Sequence, residues 1–440
     1  MSSMQIVVIG GGAAGFFGAI TAAETFPQTR VIILEKSRNV LSKVRVSGGG
    51  RCNVTHACFD NRKLAKNYPR GEAFLRPLLK HFDADATVRW FESRGVALKT
   101  EADGRMFPVT DSSETIIDCL LREARRLRID IRTSCGVTDV QAETSGWRLH
   151  LSTNETLHAD RLLIAVGGYP QAPSYAWIPG VGGKSESVKE RKSELMRVGV
   201  SEGETIVMDT SALVPPVPSL FTFNTPQNPL LELAGVSVPD ALVKIADSRV
   251  GNVKHEYRGP VLITHWGFSG PAVLKLSAWG ARDLAGVQYV FTFRINWLPG
   301  LNENQIREQF QVFRQQHPKK AVVSQGLFSL PNRLWAALAQ NAGIAPDVRW
   351  ADLPGKAQNR LINLLTNSEQ SASGKTTFKE EFVTCGGISL DAIHPETLES
   401  RTCPGLFFAG EVLDVDGITG GFNFQNAWTT GFVAGKNLGL

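Results

Sequence analysis

Gly10, Gly12 and Gly15 stand at GxGxxG spacing, and an acid, Glu35, follows further along the chain. The chemistry this suits is the binding of a dinucleotide. Gly10 permits a tight turn, Gly12 lets a pyrophosphate approach the backbone, and Gly15 lets a helix pack close to a strand. Ala13 and Ala14 open that helix, whose first N–H groups and positive dipole end suit the phosphates. A carboxylate at Glu35 accepts hydrogen bonds from ribose hydroxyls and repels a 2′-phosphate, so FAD or NAD is favoured over NADP. Lys36 is a further candidate contact beside it.

A second group of candidates follows closely. Ser47, Gly48, Gly49, Gly50, Arg51, Cys52 and Asn53 form a glycine-rich stretch in which backbone can approach a flat or anionic group. Arg51 can hold phosphate or favour an anionic reduced flavin, and Asn53 offers both a donor and an acceptor. Lys43 is a cation beside the same stretch. At the far end of the chain, Gly410, Glu411, Asp414, Gly417, Gly420, Gly421, Phe422 and Asn423 fall in GEVLDVDGITGGFN. An apolar run at Leu406–Ala409 leads into them, and a helix is predicted from about Gln425. Such a strand, loop and helix reach a ribityl chain and a flavin pyrimidine ring, which decides the dinucleotide as FAD. Gly167 ends another apolar run, at residues 160–166.

The positioning elements are legible around these residues. Residues 4–10 read as a strand, 13–25 as a helix and 31–34 as a second strand, the start of a parallel sheet. Residues 112–127 read as an amphipathic helix and 137–151 as an antiparallel pair. Short β-like runs at 241–245, 261–264 and 289–295 lie between prolines, and residues 302–368 carry helical spacing. Thr264–Pro271 joins a strand to a helix that starts at Pro271. Within it His265 is the candidate acid–base group, since imidazole titrates near neutral pH. Arg105, near Gly104, is a candidate rim residue.

Composition narrows the class. A chain of 440 residues implies more than one domain. No segment reads as a membrane span or signal peptide, so the expected location is the cytoplasm. The six cysteines form no CxxC pair and no metal cluster, and ordinary reduced thiols are expected, with a Cys52–Cys58 redox pair disfavoured. Hydrolytic motifs and a P-loop are missing from the sequence. The net charge of +5 permits an anionic substrate or RNA without demanding one. Basic residues cluster at Arg62–Arg70, Arg122–Arg132 and Lys184–Arg197.

The strings KVRVSGGGRCNVT, THWGFSGPA, CGGI and GEVLDVDGITGGFNFQNA, with the N-terminal glycines, resemble the HI0933-like flavoproteins of the aminoacetone oxidase group. The resemblance spans nearly the whole chain. It implies an α/β fold, with a Rossmann-like FAD/NAD(P)-binding domain, an inserted β-barrel-like domain and a small helical subdomain. The expected bounds are 1–172 and 377–440 for the FAD domain, 173–300 for the β-rich insert and 301–376 for the helices. It also implies that the glycine stretch 47–53 runs along the flavin and that His265 faces the substrate side. The charged run Lys184–Arg197 departs from the family pattern.

Three functions fit these residues. The first is an FAD-dependent oxidoreductase that moves a hydride through flavin N5, with NAD(P)H or oxygen in the other half-reaction. The second is a flavoenzyme that modifies RNA, for example by reducing uridine to dihydrouridine. The third is a flavin-binding protein without catalysis. The partner is a small molecule or RNA; the substrate and the oligomeric state are not encoded in any motif.

Overall fold

The computed structural model describes residues 4–180, 212–251, 256–376 and 383–440. The Lys184–Arg197 run lies outside them. The chain divides into two compact units, Met1–Pro218 with Lys379–Leu440, and Ser219–Phe378.

In the first unit a five-stranded sheet has the order Leu406–Phe408, Arg161–Ile164, Gln5–Ile9, Arg30–Leu34, Asp130–Arg132. All its pairings are parallel. The central strands are apolar runs, with Ile6, Val7, Val8, Ile32 and Ile33 fully buried. That is expected of a parallel sheet covered on both faces. Helix Ala13–Thr25 begins just past the first strand, and helix Glu114–Arg126 precedes the Asp130–Arg132 strand. The predicted pair at 137–151 is a three-stranded antiparallel sheet, Val137–Glu143, Gly146–Leu151 and Thr156–Ala159. Strand Leu213–Pro218 pairs antiparallel with Thr384–Ile388.

The C-terminal helix Phe422–Asn437 packs against Ala13–Thr25. Glycines set the spacing: a Cβ on Gly431 would stand 2.7 Å from the Ala14 carbonyl oxygen, and one on Gly435 2.6 Å from that of Gly18. The two ends of the chain are therefore joined in one unit, through neighbouring strands and these helices.

The second unit holds a seven-stranded sheet in the order Ser368–Ser373, Val290–Asn296, Ser237–Ile245, Glu256–Ile263, Gly267–Ser269, Thr222–Asn224, Lys375–Thr376. Its two outermost strands are consecutive in sequence, separated by Gly374. The Gly374 N–H donates to the Tyr289 carbonyl (2.9 Å) and its carbonyl accepts from the Asn224 N–H (3.2 Å). The sheet is thus wrapped toward a barrel, and its edges are not left as open templates. Helices Glu303–Gln316, Asn332–Asn341 and Gly355–Thr366 share the sheet's core: Phe223, Phe268, Phe293 and Trp297 belong to the same buried cluster as Ile306, Phe310, Trp335 and Leu361.

Two local expectations change. Thr264–Pro271 does not run directly from strand to helix; Gly267–Ser269 first pairs antiparallel with the end of Glu256–Ile263. A Cβ on Gly267 would strike the Phe223 carbonyl oxygen at 1.9 Å, so glycine is what lets this short strand slot in. The C-terminal helix begins at Phe422 rather than Gln425, because Phe422 and Asn423 already have helical backbone.

Candidate FAD site

Gly10 follows the first strand with φ +111°, and a Cβ there would lie 2.4 Å from the Ala165 carbonyl oxygen. A Cβ on Gly15 would fall 1.9 Å from the Gly10 carbonyl oxygen. Both glycines are dictated by protein packing. Gly12 differs: a Cβ there would meet nothing within 4 Å. It is the N-cap of helix Ala13–Thr25, with no side-chain cap and no acid in the first turn. The first helical N–H groups have no intrahelical acceptor and lie uncapped at a positive dipole end. Glu35 stands beside this turn; its carboxylate accepts from the N–H groups of Gly11 (2.9 Å) and Ser37 (2.8 Å). Lys36 lies over the Tyr169 ring at 5.2 Å. These features fit a dinucleotide: room at Gly12, uncapped donors and an oriented acid.

The C-terminal segment meets this turn. A Cβ on Gly410 would stand 2.7 Å from that of Ala14, and the Gly410 N–H donates to Thr430 Oγ1 (2.8 Å). Glu411 accepts from Lys43 Nζ (2.7 Å) and from the Thr384 N–H (2.9 Å). A Cβ on Gly167 would sit 3.9 Å from the Glu411 carboxylate. Helix Phe422–Asn437 begins after Gly421 without a side-chain cap or acid in its first turn. The amide oxygen of Asn426, in that helix, is buried and has no hydrogen-bond partner. An uncapped helix start and an orphaned polar atom suit a ring edge with hydrogen-bonding groups, as a flavin pyrimidine has.

The helix that opens at Ser42 breaks at Ser47, Gly48 and Gly49, whose backbone is not helical, so the stretch 47–53 leads out of a helix as a turn. Gly48 is there for packing, against the expectation: its φ is +59° and a Cβ would press on the Phe107 ring at 2.9 Å. Gly49 and Gly50 face open space. Ser47 Oγ donates to the Val44 carbonyl (2.9 Å). Asn53, with its amide turned to satisfy both neighbours, accepts from the Gly421 N–H (2.9 Å) and donates to the Thr55 carbonyl (3.0 Å). Arg51 is already engaged by Glu101 (2.6 Å) and Asp111 (3.6 Å), 4.0 Å above the Phe107 ring. The Glu101 hydrogen bond raises its pKa further above the usual guanidinium range. Arg105 pairs with the same Glu101 (3.0 Å). Burial pushes the Cys52 thiol up to about 12, so it is no thiolate nucleophile. All six cysteines are free.

Several candidates in the C-terminal loop hold the loop itself. Asp414 accepts from the Gly386 N–H (3.0 Å). Asn423 accepts from the Gly417 N–H (2.8 Å) and donates to its carbonyl (2.9 Å). Phe422 stacks on His56 at 4.7 Å, and the His56 ring nitrogen Nδ1 meets the Gly420 carbonyl at 3.0 Å.

Residues 67–71, which the sequence marked only as part of the basic cluster Arg62–Arg70, grip this loop. Tyr68 donates to the Phe422 carbonyl (2.7 Å), and the Ile418 N–H donates to the Asn67 carbonyl (3.0 Å). Arg70 forks onto Asp416, whose side chain is fully buried. Gly71 packs against Val415. Only the acid in DVDG and the isolated YPRG string hinted at this.

In the second unit, His265 and Trp266 are exposed at the tip of the hairpin between Glu256–Ile263 and Gly267–Ser269. Thr264 Oγ1 shapes the tip by accepting from the N–H groups of Trp266 and Gly267, each at 3.2 Å. His265 makes no hydrogen bond to any described residue. Among the described residues there is no metal-binding cluster and no helix long and apolar enough to cross a membrane.

Fold and site define a flavoprotein: a Rossmann-like dinucleotide-binding domain completed by the far end of its own chain. The profile of the HI0933-like protein Rossmann domain matches residues 4–437, and the chain belongs to that family. It is an FAD-dependent oxidoreductase. It is 30% identical to a ribosomal RNA dihydrouridine synthase of Escherichia coli (strain K12), covering 100% of this chain and 98% of that one. It is likewise 30% identical to a 3-dehydro-bile acid delta(4,6)-reductase of Clostridium scindens, covering 98% of each. A ribosomal RNA dihydrouridine synthase of Haemophilus influenzae is 25% identical, again over 98% of each.

Proposed function

We propose that this protein reduces an unsaturated substrate, with NAD(P)H as the source of the hydride. When bound, FAD supplies reversible hydride exchange at N5. The first turn of helix Ala13–Thr25 would hold the pyrophosphate charge, and Glu35 would accept from the ribose hydroxyls. The start of helix Phe422–Asn437 would favour negative charge on the pyrimidine of the ring. His265, which the family resemblance sets on the substrate side, is the proposed proton donor to the substrate. The open cradle at Gly12 carries the cofactor part of this reading, and the Clostridium scindens relative, a reductase, supports the direction. Anaerobic mixing with NADH and then NADPH tests it. Bleaching of the flavin absorbance by either is expected; persistence of the oxidised spectrum with both would overturn it.

A second reading is favoured by two relatives named for ribosomal RNA. In it, the reduced substrate is a pyrimidine base of RNA. Conversion of uridine to dihydrouridine in transcripts supplied with the reduced protein is the test, and unchanged transcripts would refute it.

A further inference from the structure

We infer that residues 59–80 form a docking surface for single-stranded RNA, a surface that rests on the RNA reading above. The segment holds two short helices, Asn61–Ala65 and Glu72–Leu78, packed against each other and tied by Asn61 Nδ2 donating to the Leu79 carbonyl (3.0 Å). Their apolar side is buried through Leu64, Ala65, Leu75, Leu78 and Leu79. The opposite side is basic. Arg62, Lys63, Lys66, Arg76 and Lys80 are all exposed, and none makes a salt bridge to a described residue.

No acid nearby forms a salt bridge with them. Asp60 caps the first helix, accepting from the Arg62 and Lys63 N–H groups, and its single charge faces those two cations without balancing the five. Glu72 lies half-buried in the first turn of its helix. Asp83 caps the next helix, and Asp85 pairs with Arg89. Phe59, at the edge of this surface, is 55% exposed. Unpaired cations beside an exposed aromatic ring are what a single strand requires: charge for its phosphates and a face on which a base stacks. In the second basic cluster most of the arginines are engaged: Arg126 pairs with Glu24 and Glu123, Arg132 with Asp130, and Arg122 donates to the Arg94 carbonyl, leaving Arg125 and Arg128. The inward side of the same segment, through Tyr68 and Arg70, grips the loop that enters the C-terminal helix, so RNA held here lies against the outer side of the proposed flavin support.

The test is binding of a fluorescein-labelled oligouridylate to the flavin-loaded protein over a range of salt. Replacing Arg62, Lys63, Arg76 and Lys80 by Gln should lower the slope of log affinity against log salt by up to about 3. F59A should weaken binding roughly tenfold or more with little change of slope. The control R125Q/R128Q, also exposed arginines, should leave both within about twofold of the parent, and every variant should keep the flavin spectrum. If the parent protein binds no oligouridylate at low salt, the RNA reading fails and the surface with it. If the parent binds but the fourfold variant binds equally well, or no worse than the control, the surface is wrong while the RNA reading stands. Loss in the fourfold variant with F59A unchanged, and equal binding of phosphatidylserine vesicles, would show a general anionic surface and overturn the assignment.

Discussion

The Arg70 guanidinium meets the carboxylate of Asp416 through two nitrogens, and Asp416 has no exposed surface. Residues far apart in sequence are joined at a loop that carries candidate flavin contacts on both sides, Asp414 and Gly417. Removing one member of a buried pair leaves the other charge uncompensated, a loss of about 3–5 kcal/mol. R70A and D416N are therefore expected to lower the denaturant midpoint and to release flavin during purification. The ratio of flavin to protein absorbance reads the second effect. Full flavin occupancy in both variants would show that the pair does not support the site.

Gly10 and Gly12 separate packing from binding. Substituting Gly10 is expected to reduce folded yield, because its Cβ meets a backbone carbonyl at 2.4 Å. Gly12→Val has open space to enter. It should give a protein with the parent's circular dichroism and melting behaviour that purifies colourless. A yellow G12V protein with unchanged affinity for FAD would remove the pyrophosphate from this turn.

His265 has no hydrogen-bonding duty among the described residues, so its removal should not disturb folding. H265A is expected to reduce kcat by roughly 10²–10⁴ while flavin content stays at the parent level. An unchanged kcat would make His265 a bystander.

His158 sits between Glu143 (2.9 Å) and Asp160 (3.4 Å) on the small antiparallel sheet. The Glu143 hydrogen bond, then Asp160, raises its pKa above the ordinary 6.5. A raised folded-state pKa means stabilisation that is fully present below the unfolded value and fades as pH rises through the folded one. H158Q should therefore lower the melting temperature under mildly acidic conditions and have little effect in alkali. A pH-independent difference would contradict this origin.

Much of the first unit was written in local pattern. Apolar runs ending in glycine marked the parallel strands, because a strand buried on both faces needs continuous apolar residues. The spacing of Gly10, Gly12, Gly15 and Glu35 marked the nucleotide turn, because each position answers one steric or hydrogen-bonding demand of that ligand. The helices at 302–368 showed in their period. Pattern could not say which side chains are already taken. Arg51 and Arg70 look alike as basic residues near glycines. Yet Glu101 and Asp111 occupy one, and Asp416 has drawn the other inward. Nor could it divide the glycines of 48–50 into one that yields to Phe107 and two that face open space. Local backbone preferences and burial periodicity act over a few residues, so the sequence alone determines the elements and the nucleotide fingerprint. Ion pairing and steric contact depend on groups tens to hundreds of positions apart, and only the tertiary structure decides those.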